Sequence, residues 1–463
     1  MLTGENGRAA GGPALKAPAG TAALRFWLLT GFLFLVVLCG GSASADELQL
    51  VVLRPAAVLV AAIALLTMRA EHWRRYRPVW LLLGAVMVLT LLHLVPLPPQ
   101  LWQALPGRDI IVDIDRVAML GEQWRPLSMA PERTANAAFA LAIPIAVALL
   151  AAQLDDALQN RLLIVVVGLA ILSGSIGLVQ ATGTGLQFYP EASAIAGAFA
   201  NRNHQGLLLA LTIPMAAVWA ARTTAGSRST RNRAIMLIAA VIVIVPLIAL
   251  TASRSAIALA AVGLASLALL RTGSDGQAAP GARRAMLVAA AWIASALAVA
   301  AILYATAVNR FTTFDRLENA SDDARLTIWS STFDMIGHYL PWGSGIGGYA
   351  RVYQILEPAS LLEPSYTNHA HNEWLEIAMT AGIPGLVILV AAGAMFGVAA
   401  WRSLRRSNVP NLDARLGVIV IFMLAIASTA DYPVRTPILS AILAIAAVWS
   451  MPGNFARREA SAV

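Results

Sequence analysis

Apolar positions in this chain come in long runs rather than in alternation. Twelve runs stand out, at about 24–41, 48–67, 78–95, 134–153, 162–180, 204–221, 234–251, 255–270, 285–304, 373–400, 416–430 and 437–451. A helix that crosses a bilayer needs about 20 mostly apolar residues. The pattern therefore predicts an all-α, polytopic membrane protein with about twelve transmembrane helices. Only Ser253 and Arg254 divide the seventh run from the eighth. An arginine costs about 2.5–3.5 kcal/mol at a helix centre, so Arg254 belongs at a turn near the membrane surface or facing a wet cavity.

The polar stretches set the organisation. A tail at 1–23 has no periodic pattern and reads as disordered. A first transmembrane region, 24–304, carries an external loop at 96–133. A large polar loop follows at 305–372, then a second transmembrane region at 373–451 and a tail at 452–463. Inside the large loop, Leu326, Trp329, Phe333, Ile336 and Leu340 recur at spacings that describe one face of an amphipathic helix suited to a membrane surface. Asp322 can cap its start, and Pro341 with Gly343 stops it. The next segment, Gly343–Tyr349, has GxGxxG-like spacing. No parallel strand precedes it, so it is not read as a dinucleotide site.

Composition agrees with the runs. Of 463 residues, 58% are hydrophobic and 13% charged, against about 25% charged in an ordinary soluble domain. A water-exposed globule of this size is excluded. The net charge of +8 comes from 32 arginines and one lysine, Lys16, in small clusters between apolar runs. That distribution marks topology rather than a nucleic-acid face. One set of connections and both tails hold 21 of the 33 basic residues. The positive-inside rule makes that side cytoplasmic, with both termini inside. Residues 24–39 followed by Ala43-Ser44-Ala45 resemble a signal peptide. An uncleaved first span is the favoured reading, and the remaining topology is the same either way. Cys39, the one cysteine, allows no internal disulfide and reads as a buried small hydrophobe.

The densest polar cluster is Asn368-His369-Ala370-His371-Asn372-Glu373. A histidine at a membrane surface can serve as a general base near neutral pH. The alternative is an interfacial helix start capped by Asn368. Zinc is disfavoured, because His369 and His371 are two residues apart and no thiolate or HExxH pattern joins them. Arg254 and Arg325 lie on the external side, where fewest arginines are expected, and guanidinium groups bind phosphate in a forked way. A snorkelling Arg254, or an Arg325 paired with Asp322 or Asp323, is the plainer account. Arg202 and Asn203, in Asn201-Arg202-Asn203-His204, either line the same cavity or cap the sixth span. Asp431 and Arg435 read as an ion pair with each other. Asp113-Ile114-Asp115 is a weak DxD match to a metal-holding motif. His72 and His93 read as interfacial or core residues.

In order along the chain come Asp323-Ala324-Arg325-Leu326-Thr327-Ile328-Trp329, Pro341-Trp342-Gly343-Ser344-Gly345, His371-Asn372-Glu373-Trp374-Leu375-Glu376 and Gly382-Ile383-Pro384-Gly385-Leu386. This set resembles the O-antigen ligase and O-antigen polymerase superfamily of bacterial inner-membrane glycosyltransferases. Ala252-Ser253-Arg254-Ser255, Phe199-Ala200-Asn201-Arg202-Asn203 and Pro126-Leu127-Ser128 look like further motifs of it. The resemblance implies a GT-C-like helical fold with a large periplasmic loop. It also implies a donor glycan on undecaprenyl pyrophosphate and transfer that needs no metal, nucleotide or cofactor. The implied acceptor is a sugar of the lipid A core, a second lipid-linked repeat or a protein hydroxyl. By the same resemblance His371, which precedes Asn372, is the general base, with His369 the competing candidate, and Arg254 and Arg325 hold the pyrophosphate. Arg202, Asn203, His369 and Asn372 complete the expected substrate-binding set, and membrane lipids are the other expected partners. A polytopic carrier or flippase without catalysis is the alternative, although the two halves of the chain show no related pattern.

Overall fold

The computed structural model describes residues 19–44, 46–190, 192, 195–223, 229–270, 314–357, 367–404 and 411–451. The predicted span at 285–304, Ala45 of the cleavage-like triplet, residues 1–18 and the tail at 452–463 lie outside the described residues. The first four helices are α1 (Ala19–Cys39), α2 (Leu50–Leu66), α3 (Ala70–Arg75) and α4 (Arg77–Leu92). The first external loop carries β1 (Pro96–Leu97), α5 (Pro99–Gln103), α6 (Asp109–Val117) and β2 (Arg125–Pro126). Then come α7 (Pro131–Ala140), α8 (Ala142–Ala151), α9 (Asp156–Ala181), α10 (Arg202–Thr223), α11 (Ser229–Leu250) and α12 (Arg254–Ser266). The remaining helices are α13 (Phe314–Tyr339), α14 (Tyr349–Leu356), α15 (Glu373–Leu404), α16 (Leu412–Ala427) and α17 (Pro437–Trp449).

Every predicted span other than 285–304 falls on a helix. Among the described residues, five helices are long and apolar enough to cross a membrane: Gly20–Cys39, Pro131–Ala151, Asp156–Ala181, Arg202–Arg222 and Glu373–Leu404. Local signals fix several starts. Asp155 accepts from the Leu158 amide, Ser253 from Ala256 and Asn411 from Ala414, each satisfying an amide that the first helical turn leaves unpaired. α10 is the most enclosed of the five, and α15 the least. One continuous core joins α1, α2, α8, α9, α10, α16 and α17. Phe26, Leu29, Phe32, Leu33 and Val36 bury α1 in it, so the signal-like segment is a packed part of the bundle. Cys39, expected to be buried, is only half-buried at the end of α1.

The bundle has two unlike ends. At one, Arg222 of α10 pairs with Asp413, Arg415 donates to the Leu269 carbonyl, and Thr67 donates to Gln153. At the other, Gly41 donates to the Tyr189 hydroxyl, the Ile438 amide reaches Gly40, and the Ile346 amide reaches His93 Nδ1. The loop at 96–133 and the glycine-rich segment after α13 meet at this second end, where the Met129 amide donates to the Ser344 carbonyl.

Three expectations change here. The loop helix starts at Phe314, well before Asp322. It turns Thr332, Met335 and Tyr339 inward and leaves Leu326 and Phe333 exposed, so its buried side is not the stripe that the spacing picks out. The expected single span 373–400 is broken at Gly382, where φ is 58° and ψ is −152°. Pro384, which has no amide hydrogen, follows the break. The backbone groups released there pair with the glycine-rich loop: Ser344 donates to Met379, Gly345 to Thr380, and Ile383 to Pro341. The two loops are clasped as well. β1 pairs antiparallel with β2, Pro96 opposite Pro126. The wholly buried Arg108 donates to the carbonyls of Pro106, Leu127 and Gly343.

Candidate active site

The clasped loops form a platform beneath the His369–Asn372 segment. Thr134 Oγ1 donates to the Ile346 carbonyl and shares a hydrogen with Ser128. Gly345 has φ of 121°, and a Cβ there would run into the Ser128 side chain, so glycine is required. The Trp329 indole of α13 donates to the Ala370 carbonyl at 2.9 Å, which ties the histidine segment to the loop helix.

The two histidines have different surroundings. His369 Nδ1 lies 3.1 Å from Glu376 Oε1, and its ring lies against Tyr432 with centroids 4.2 Å apart. Glu376 also accepts from the Ala370 amide and pairs with Arg435 at 3.2 Å. Burial holds the His369 imidazole below its ordinary pKa, with Glu376 opposing. His369 is therefore built into the wall. His371 adopts φ of 49°, a left-handed conformation that is uncommon outside glycine and clusters at functional sites. Its Nδ1 is buried and faces Asp431 Oδ1 at 3.7 Å, while 26% of the side chain stays exposed. Asn372 is the helix cap, a role that one of the two readings of this segment gave to Asn368. The Asn372 side-chain oxygen accepts from the amides of Trp374 and Leu375.

Asp431 is the hub. His204 Nε2 approaches the same Oδ1 at 3.5 Å. The Tyr432 amide donates to Oδ1, and Asn203 Nδ2 donates to Oδ2 at 3.0 Å. Burial alone would raise this carboxyl, but the His204 and His371 imidazoles outweigh it and hold the pKa well below the usual aspartate range. Asp431 was expected to pair with Arg435. Arg435 turns instead to Glu376, and the aspartate is left for the imidazoles. The spacing along the outer turn gave no sign of this, because both imidazoles come from segments far away along the chain.

Asn203 links the hub to α12. Ser253 Oγ donates to Asn203 Oδ1 at 2.7 Å and caps α12, whose first residue is Arg254. Ala252 just before it has φ of 50°. Arg254 is exposed and Arg202 half-buried at the neighbouring start of α10. Arg325 sits on the α13 backbone one turn before Trp329, about 6 Å along the helix axis; its side chain lies outside the described residues. The structure thus places His371, His369, Asn203, Arg202 and Arg254 at one end of three adjacent helix starts. The DxD carboxylates are elsewhere and spoken for: Asp113 pairs with Arg116 and Asp115 with Arg125. His93 is a core residue, as one of its two expected readings had it. It is 2% exposed, and its ring nitrogen serves the glycine-rich loop rather than the site.

Residues 238–390 match the family model described as O-antigen ligase. The match covers about a third of the chain and supports the O-antigen ligase and polymerase superfamily for that segment. No curated protein matches the chain. The match points to glycan transfer of the kind its description names, and five of the described helices are long and apolar enough to cross a membrane. The O-antigen ligase segment contains Arg254, Arg325 and His371. It ends before Asp431 and starts after Asn203 and His204, so the site draws on both flanks of the matched region.

Proposed function

We propose that the protein transfers or polymerises a glycan from an undecaprenyl-pyrophosphate donor onto a saccharide acceptor, at the periplasmic face of a bacterial inner membrane. The observation that carries this reading is the buried Asp431 facing Nδ1 of the partly exposed His371. A carboxylate there favours the tautomer with its proton on Nδ1, which leaves Nε2 as a base. Nε2 takes the proton of the acceptor hydroxyl as that oxygen bonds to the anomeric carbon. The bond from the anomeric carbon to the donor phosphate oxygen breaks, and the pyrophosphate leaves as an anion. One displacement inverts the anomeric centre. Arg254 and Arg325 hold the departing charge, assisted by Arg202. Asn203, His369 and Asn372 shape the acceptor side. Preorganised positive charge of this kind often lowers the barrier more than any other device in such catalysis. The acceptor is a lipid A core sugar or a second lipid-linked repeat.

The test is purified protein in liposomes with a lipid-linked donor and a core acceptor, comparing wild type with His371→Asn. Asparagine tolerates the left-handed backbone at this position. Product formation without an ion gradient, cut roughly 10²–10⁴-fold by the substitution, supports the enzyme. Full activity in the variant, or movement of donor without transfer, overturns it.

A further inference from the structure

The first external loop holds a helix that the catalytic reading leaves unused. α6 turns Ile110, Ile114 and Val117 to one side at helical spacing, and all three are exposed, Val117 at 83%. Leu120 and Trp124 continue the exposed stripe. On the polar side, Asp113 pairs with Arg116 at 2.9 Å and Asp115 with Arg125, so the helix offers a partner little charge beyond Asp109. The helix is not loosely hung. Arg108, immediately before it, is buried and bonded to three carbonyls of the loop clasp. The chain leading into the loop is likewise rich in exposed apolar residues, with Leu92, Val95 and Leu101.

We infer that α6 is a membrane-surface anchor. Its apolar stripe is inserted at the headgroup–acyl boundary of the leaflet at the end of the bundle that holds the His371–Asp431 cluster. The occupant of the stripe is lipid, for three reasons. Exposed apolar side chains also occur at the end of α4, a helix of the bundle, in Leu91 and Leu92. Its charges are paired within the loop, which leaves little for a protein partner to complement. It ends in a tryptophan, the residue favoured at the membrane–water boundary. An amphipathic helix of this kind lies in the interface plane, roughly 5–10 Å deep on its apolar side. Because Arg108 couples α6 to Gly343, and the glycine loop is bonded to α15, the anchor fixes the height of the site above the bilayer. The inference depends on the membrane character of the protein and not on the chemistry proposed for His371.

The experiment uses the full chain with Cys39→Ser, which removes the one native thiol. Single cysteines are introduced by Ile110→Cys, Ile114→Cys, Val117→Cys, Asp113→Cys and Arg116→Cys, spin-labelled, and reconstituted in neutral phosphatidylcholine liposomes. Collision with lipid-soluble oxygen is compared with collision with a water-soluble nickel chelate. Labels at 110, 114 and 117 should favour oxygen several-fold more than labels at 113 and 116. Equal, water-like accessibility at all five sites overturns the anchor. Spin–spin broadening at 117 that disappears on dilution with unlabelled protein also overturns it, since it would put a second copy on the stripe. All five positions are on an exposed helix, and a label-free Cys39→Ser protein with wild-type gel-filtration behaviour shows that the background folds.

Discussion

Asp431 is the residue whose role the sequence hid. Its neighbours along the chain pointed to Arg435, and only the folded arrangement brings it to His204 and His371. The carboxylate is isolated from water and faces the His371 ring, so under the proposed mechanism Asp431→Asn should leave membrane insertion intact and lower transfer by about 10²-fold or more. Transfer unchanged in Asp431→Asn would detach the aspartate from the base. The depressed pKa of Asp431 means its contribution to stability is complete above the ordinary aspartate range and is lost only as pH falls through the lower folded value. Thermal melts in detergent check this: wild type should lose stability at acid pH more steeply than Asp431→Asn, which has no carboxylate to protonate. His371 and Arg254 stand out in the sequence because charged or titratable groups beside apolar runs need a reason. His369 and His371 could not be told apart by type alone; burial against Glu376 separates them.

At the scale of elements, run length located the helices well, because the bilayer sets that length. What it missed was the break in α15. Gly382 occupies a backbone region that is nearly exclusive to glycine, and a Cβ there would run into the Pro341 carbonyl. Such strain costs roughly 1–3 kcal/mol. Gly382→Ala should lower the melting temperature and weaken transfer together, because Thr380 and Met379, on the helix turn below Glu376, lose their loop partners. A shift in melting alone, with transfer intact, would show that the break is not coupled to the site. The sequence carried the signal in Gly382-Ile383-Pro384, but a glycine and a proline inside an apolar run are tolerated in membrane helices often enough to be read through. The inward side of α13 escapes the pattern for a related reason. Periodicity reports an apolar stripe, and beside a membrane the stripe can face lipid while Thr332 and Tyr339 face protein.

Across the whole molecule, the site is assembled from helix starts that are far apart in sequence, over a platform made by two loops. Arg108 joins those loops. Replacing it by methionine keeps the volume and leaves three carbonyls without their donor, at roughly 1–3 kcal/mol for each buried unmet group. Arg108→Met should open the first loop to limited proteolysis and reduce transfer, although Arg108 touches neither histidine. Protection equal to wild type would mean that the platform holds without it. The arginine excess from which a topology is expected was legible from composition. The loop–loop contact was not, since nothing in a linear pattern relates positions 235 residues apart.

That separation also imposes a schedule on the growing chain. Arg108 leaves the ribosome well before Gly343 exists, and at about 5–20 residues per second the wait is roughly 12–47 s. During it the guanidinium must stay hydrated, and its final seat cannot yet form. A nascent chain halted between α12 and α13 would therefore present its first loop unlatched, with position 108 open to a water-soluble reagent. Closure of the platform belongs to the last third of synthesis, after most of the bundle is already in place.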